Sequence, residues 1–260
     1  MRAIINSATT TKLTLGTTAP ERRAAIAVLR AVFALLALGL AVLCAVCFAQ
    51  ARREAPAIEA ARDLMARPRL WRNSADLLDG YLASVGSRDD ACGIRFDRSL
   101  AILALARADL LAAPAHADRA KVRTAQEAAL ERVRHALRCA PQDGATWLYA
   151  AMLQAALGDV PPAVVRSLEL SARFTPYDAN VLTQRIRFAG SLQGRGFPGA
   201  EAVFRRDILV LTKWGSLADL EAVAKAMPPA AAALMRTVPM AGIDSGRRKI
   251  VRDAARTSAE

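Results

Sequence analysis

The sequence predicts an all-α protein: a single N-terminal transmembrane helix, followed by a body of stacked antiparallel helical hairpins. Three observations carry that expectation. The nineteen residues Ala31 to Ala49 contain no charge and no proline. Beyond them Ala, Leu and Arg dominate while β-branched runs are scarce, and these dominant residues are the strong helix formers. Pro and Gly then recur at intervals that leave segments of about 12 to 22 residues, a length suited to stacked helices.

Residues 1–23 are rich in Thr, Ser and Arg, show no apolar period and read as a flexible tail. Residues 24–51 read as the anchor. At about 1.5 Å rise per residue its apolar run crosses roughly 28 Å, which matches a hydrocarbon core of about 30 Å. Arg22, Arg23 and Arg30 bracket it on one side and Arg52 and Arg53 on the other. Ala49-Gln50-Ala51 has the form of a signal-peptidase site, but secretory cores run only about 7 to 15 residues, so an uncleaved anchor is expected. Cys44 and Cys47 follow Leu43 and Val46 rather than small residues. They read as small apolar side chains within the span, not as lipid-modified or redox cysteines.

Basic residues on the two sides of the span nearly balance: Lys12, Arg22, Arg23 and Arg30 before it, Arg52, Arg53, Arg62, Arg67 and Arg69 after it. Long domains translocate against local charge, and a basic tail before one N-terminal span is the usual layout of an exported body. The expected localisation is therefore a bacterial inner membrane, crossed once, with the body in the periplasm. A cytoplasmic body is the alternative.

Four further parts follow: a helical lead-in over 52–91, repeats over 92–212, C-terminal helices over 213–240, and a disordered basic tail over 241–260 that contains Arg247-Arg248-Lys249. Asp89-Asp90 read as a helix N-terminal signal that complements the dipole. Ala222 to Ala233 is apolar, but Lys225, Pro228 and Pro229 interrupt it, so it reads as two core helices rather than a second span.

The formal net charge is +12. Such an excess could draw an anionic polymer or lipid headgroups. With only five lysines beside abundant Arg and Ala, the composition equally reflects a GC-rich genome. No basic stripe interleaves with aromatics, which argues against nucleic acid. Gly194-Arg195-Gly196-Phe197-Pro198-Gly199 fits G-x-G-x-x-G, yet its upstream stretch reads as helix, and the dinucleotide motif needs a preceding strand. His116 and His135, the two histidines, stand apart from Cys, Asp and Glu at metal-ligand spacing. No serine occupies a nucleophile elbow. The expectation is a non-catalytic protein without metal or cofactor.

Pro141 and Pro176 stand 35 residues apart, each after a helical pattern. The intervening segment opens PQDGATW, holds Gly158-Asp159 and Ala163, and runs on through Leu168 to Phe174. It resembles the tetratricopeptide repeat, a 34-residue helix-turn-helix unit. With Trp147 at the family's tryptophan position, Gly158 falls at the turn glycine and Ala163 at a small helix-packing position. One unit earlier, Ala129, Val133 and Ala136 give the small, large, small alternation of the second helix. Ala150, Ala151 and Gln154 depart from the family's Leu, Gly and Tyr. The resemblance implies two to three degenerate repeats, the first with an extended hairpin. Their inner face carries Leu148, Met152, Ala155, Leu182 and Ile186, an apolar surface that either receives a partner helix or is covered by the chain's own C-terminal helices.

Cys92 and Cys139 open and close the two arms of the first hairpin, about 92 to 112 and 119 to 139. Arms of equal length bring both sulfurs to the same end. A disulfide is geometrically reasonable and suits an oxidising compartment; two buried thiols are the alternative.

The stretch Ser167 to Arg187, SLELSARFTPYDANVLTQRIR, is similar to a segment of the tetratricopeptide-like accessory proteins of bacterial exopolysaccharide biosynthesis, with Leu170, Ser171, Pro176, Tyr177 and Arg185 as the matching residues. That resemblance implies a membrane-anchored, non-catalytic scaffold that holds a protein partner during polymer assembly or export. The alternatives are a basic envelope factor that binds an acidic polymer or acts as an enzyme, and a cytoplasm-facing docking platform.

Overall fold

The computed structural model describes residues 19–72, 74–84, 92–114, 116–239 and 241–257. Eleven α-helices and no strand occur among them. Asp89 and Asp90 lie outside the described residues, as does the tail before Ala19. The chain divides into two units between Glu54 and Ala55.

The first unit is helical from Ala19, the start of α1 (Ala19–Ala66). Its large apolar side chains have no intramolecular cover: Phe33, Leu35, Leu38 and Phe48 are all more than 60% exposed. The span beginning at Ile26 is long and apolar enough to cross a membrane. An N-terminal signal sequence meets the same criterion.

In the second unit the last turns of α1 bury Ala57, Ala61 and Leu64. A short 3-10 turn, Pro68–Trp71, follows, folded back because Asp63 accepts hydrogen bonds from the Arg67 guanidinium and from Trp71 Nε1 (3.0 Å). Helix α2 (Ala75–Ser84) buries Leu78 and Leu82. It is joined to the next helix by the Asp79–Arg107 ion pair and to the one after by Arg132, which donates to the Leu82 carbonyl.

Three consecutive hairpins form the centre of the body: α3 (Ile94–Ala112) with α4 (Arg119–Cys139), α5 (Gly144–Leu157) with α6 (Pro161–Phe174), and α7 (Ala179–Ser191) with α8 (Ala200–Trp214). First helices pack on first helices, α3 on α5 and α5 on α7, while α4 packs on α5 and α6 on both α7 and α8. The caps explain the starts. Asp118, Asp143 and Asp178 each accept from two backbone N–H groups in the first turn of α4, α5 and α7, which satisfies donors that the helix leaves unpaired. The turns Pro141-Gln142-Asp143 and Pro176-Tyr177-Asp178 are thus the same device used twice. Gly158 ends α5 with φ 81°, a left-handed conformation that favours glycine. Pro161 and Pro162 then open α6, where a missing N–H does no harm.

Helices α9 (Leu217–Lys225), α10 (Pro229–Met235) and α11 (Ser245–Thr257) close the far end. Both α9 and α10 pack against α7 and α8, and α11 packs on α9 and α10. The disordered tail expected over 241–260 is therefore corrected over its described part. Ile243 and Val251 are buried, Asp244 accepts from the Arg247 backbone N–H at the start of α11, and Arg247 Nη1 donates to the carbonyls of Thr212 (3.0 Å) and Gly215 (2.8 Å) at the end of α8. A basic side chain at a helix C-terminus is well placed for the dipole.

A buried polar junction joins the second and third hairpins. Arg185 on α7 is fully buried and pairs through Nε with Asp207 on α8 at 2.5 Å. Its Nη1 donates to Ser171 Oγ (3.2 Å) and to the Thr175 carbonyl (3.3 Å) at the end of α6. Gly144 lets α5 abut that same end, since a Cβ there would lie 2.7 Å from the Ser171 carbonyl oxygen.

Two stability outcomes follow. Arg185→Ala leaves the buried Asp207 with the longer, half-exposed pair to Arg206 at 3.5 Å in place of its buried guanidinium and lowers the unfolding free energy by about 3 kcal/mol, whereas Arg185→Met with Asp207→Leu loses less; urea unfolding distinguishes them. Val251→Asp places a charge where α11 docks and, by the same measure, costs more than about 2 kcal/mol, whereas Arg252→Asp, on the solvent side, changes stability by less than about 0.5 kcal/mol.

Candidate functional site

The apolar repeat face does not present an open groove. Leu148, Leu182 and Ile186 are buried to 3% exposure or less, and Met152 and Ala155 are half-buried against the same core. The cover over α7 comes from α9 and α10. Gly190 permits their approach, because an added Cβ would lie only 3.2 Å from Ala231 Cβ and Met227 Sδ. Covering by the C-terminal helices thus applies to Leu182 and Ile186 on α7, while Leu148, Met152 and Ala155 on α5 pack among the hairpins themselves.

The glycine run from Gly194 to Gly199 forms the turn between α7 and α8, with all three glycines at positive φ. A helix precedes it, so the backbone geometry of a pyrophosphate-binding βαβ unit is not built there. His116 is exposed in the α3–α4 loop. Cys44 and Cys47 are exposed on α1 as free thiols.

Depressions elsewhere are shallow. One of about 520 Å³ lies between α2, α3 and α4 and contains Asp76, Asp79, Arg107 and Lys121, but Asp79 and Arg107 neutralise each other. Ion pairing of this kind recurs over the surface: Arg98–Asp143, Arg123–Glu127, Arg134–Glu131, Arg205–Glu201 and Arg247–Asp244. These pairs cancel locally and leave the formal excess of +12 on basic residues outside them. Burial raises the Tyr149 phenol above its ordinary range, which keeps it neutral as a packing group.

Chemistry-bearing groups converge at one place, the end of the α3–α4 hairpin. Cys92 just before α3 and Cys139 at the end of α4 form a disulfide with a Cα–Cα distance of 5.3 Å, within the range that such a bond requires. Beside it stand Asp97, in the first turn of α3, and His135, one turn before Cys139 on α4. His135 Nε2 lies 3.8 Å from Cys139 Sγ and 3.6 Å from Asp97 Oδ1. Asp97 is 4% exposed, and its Oδ2 accepts from the Gly93 backbone N–H at 2.9 Å. His135 Nδ1 lies 3.4 Å from Arg138 Nη2. Donor atoms of Asp97, His135 and Cys139 all fall within 4.8 Å of one another.

The sequence expectation that His135 stands apart from metal-ligating residues is thus corrected. The signal was available locally, because His135 and Cys139 are four apart and share a helix face. The missing step was Asp97, five residues after Cys92 and brought in only by the pairing of α3 with α4. No protein-family model matches the chain, and no curated protein or solved structure matches it.

The disulfide closes a loop with a sequence separation of 47, which restricts the unfolded chain. Cys139→Ser should lower stability by about 2–4 kcal/mol. Reductant should produce the same loss in the unsubstituted protein and no further loss in the variant, read by urea unfolding.

Proposed function

We propose that this chain is a non-catalytic protein-interaction scaffold, held in a bacterial inner membrane by α1 as an uncleaved anchor, with its body in the periplasm. The body is read as tetratricopeptide-like. Three features support that reading: consecutive hairpins whose first helices stack, the proline-aspartate turns 35 residues apart, and Trp147, whose Nε1 donates to the Pro141 carbonyl at 2.8 Å and pins the repeat's turn.

The observation that carries the exported orientation is the Cys92–Cys139 pair. Disulfides persist on the oxidising side of a membrane and are rare on the reducing side. The role in exopolysaccharide assembly or export rests on the similarity of Ser167 to Arg187 to the accessory proteins of those systems.

With the repeat face covered, the scaffold's partner is read as meeting the hairpin ends. There Tyr177 and Trp214 are 71% and 75% exposed, and both aromatics suit the anchoring role at interfaces.

Reporters fused after Glu260 test the orientation. A reporter active only in the periplasm should give signal and one fluorescent only in the cytoplasm should not, at matched expression. Cytoplasmic fluorescence alone would replace the envelope role with that of a cytosolic docking platform.

A further inference from the structure

Three different donor atoms converge at the end of the first hairpin. His135 Nε2 stands 3.6 Å from Asp97 Oδ1, longer than the usual 2.7–3.2 Å of an N–H···O bond, and 3.8 Å from Cys139 Sγ, a contact of ordinary length for sulfur. A tetrahedral ion held at about 2.0 Å by nitrogen or oxygen and about 2.3 Å by sulfur spaces neighbouring ligands by about 3.3–3.8 Å, so the imidazole and carboxylate need close in only slightly once the two sulfurs have parted. We propose that, when the disulfide is reduced, Cys92, Cys139, His135 and Asp97 form a site for one borderline-soft divalent cation of the Zn²⁺ class.

The donor set fits that ion. Two thiolates, one imidazole and one carboxylate supply the four N, S and O ligands that Zn²⁺ takes in closed sites. The scaffold is already in place. Cys139 and His135 share one face of α4, Asp97 is locked on α3 by its bond to the Gly93 N–H, and 4% exposure of Asp97 screens that side from water.

Reduction by a dithiol balances as follows. A thiolate of the dithiol attacks Cys92 Sγ, the sulfur of the exposed residue. The Cys92–Cys139 bond breaks, and Cys139 leaves as a thiolate beside His135. The second thiol of the dithiol then attacks the mixed disulfide, releasing Cys92 and carrying away both oxidising equivalents as a new disulfide. Cation binding displaces the two thiol protons. Either state cross-links the same two helix ends, so the hairpin keeps its register when the bond is exchanged for the ion. An oxidising compartment holds the disulfide and a reducing one the chelate.

The test uses the full chain in detergent with Cys44→Ser and Cys47→Ser, so that Cys92 and Cys139 are the thiols that remain. After reduction and removal of the reductant, Co²⁺ is titrated in as the probe. The expected result is a thiolate-to-cobalt charge-transfer band with tetrahedral d–d absorption that saturates at one ion per chain. Zn²⁺ displaces it, and the band is absent from the oxidised chain. His135→Ala and Asp97→Asn should each weaken binding by at least about tenfold, with helix content unchanged by circular dichroism. Zn²⁺ should also slow maleimide alkylation of Cys92 and raise the melting temperature of the reduced chain but not the oxidised one. A folded, reduced chain without the band at one equivalent would overturn the site, as would a band indifferent to both substitutions. Loss of helix on reduction that Zn²⁺ does not restore would overturn it equally. The assay reads metal binding in purified protein and is independent of which side of a membrane the body occupies.

Discussion

Burying Arg185 is the constraint on which the arrangement of the body depends. A guanidinium cannot be left bare in a low-dielectric interior, so every element around it must present an acceptor. Asp207 on α8, Ser171 on α6 and the Thr175 carbonyl at the end of α6 do so. Three helices are thereby fixed in mutual register by one side chain. Even so, Arg185 Nη2 is buried without a hydrogen-bond partner among the described residues. The junction therefore buys specificity of packing more than raw stability. A slip of α7 by one residue would rotate the guanidinium away from all three acceptors, while the apolar residues around it could find other neighbours.

Gly144 extends the constraint to the second hairpin. Because α5 begins directly against the Ser171 carbonyl, its first position has no room for a Cβ, and Asp143 caps the turn from outside. Arg98 from α3 reaches Asp143 at 3.6 Å, which links the first hairpin to the same corner. At the opposite limit of the stack, α9 to α11 cover α7 and α8, and Arg247 satisfies the last carbonyls of α8. The stack thus ends in a packed cap rather than in an exposed apolar helix face.

Local chemistry made much of this legible in the sequence, and long-range pairing hid the rest. Proline and glycine breaks at Pro141, Gly158, Pro176 and Gly215 all fall between helices, because their backbone restrictions act without reference to the fold. The apolar run from Ala31 to Ala49 was equally readable, since its length and lack of charge are properties of the segment itself. Residues 245–257 misled for the converse reason. Their composition is polar and basic, and among the described side chains Ile250 and Val251, with Ile243 just before the helix, tie that segment to the body. Whether those suffice depends on the surface of α9 and α10, which no local window contains. Covering of Leu182 and Ile186 and the approach of Asp97 to His135 were hidden likewise, each being a contact between distant segments.

The motif that prompted the comparison with polysaccharide accessory proteins takes on a different meaning in this light. Ser171 and Arg185 are buried partners in the polar junction, Leu170 and Pro176 are half-buried, and Asp178 caps α7. Those residues report how one hairpin is joined to the next, and any chain that solves the same packing problem could use them. Tyr177 differs. It sits between a proline and an aspartate that are both committed to the turn, yet its own ring is 71% exposed and is not needed by the core. A large aromatic held on a rigid turn loses little conformational entropy when a partner covers it. Under the proposed scaffold role, Tyr177 is thus the one of the five motif residues available to a partner, while the other four bear on the fold that presents it.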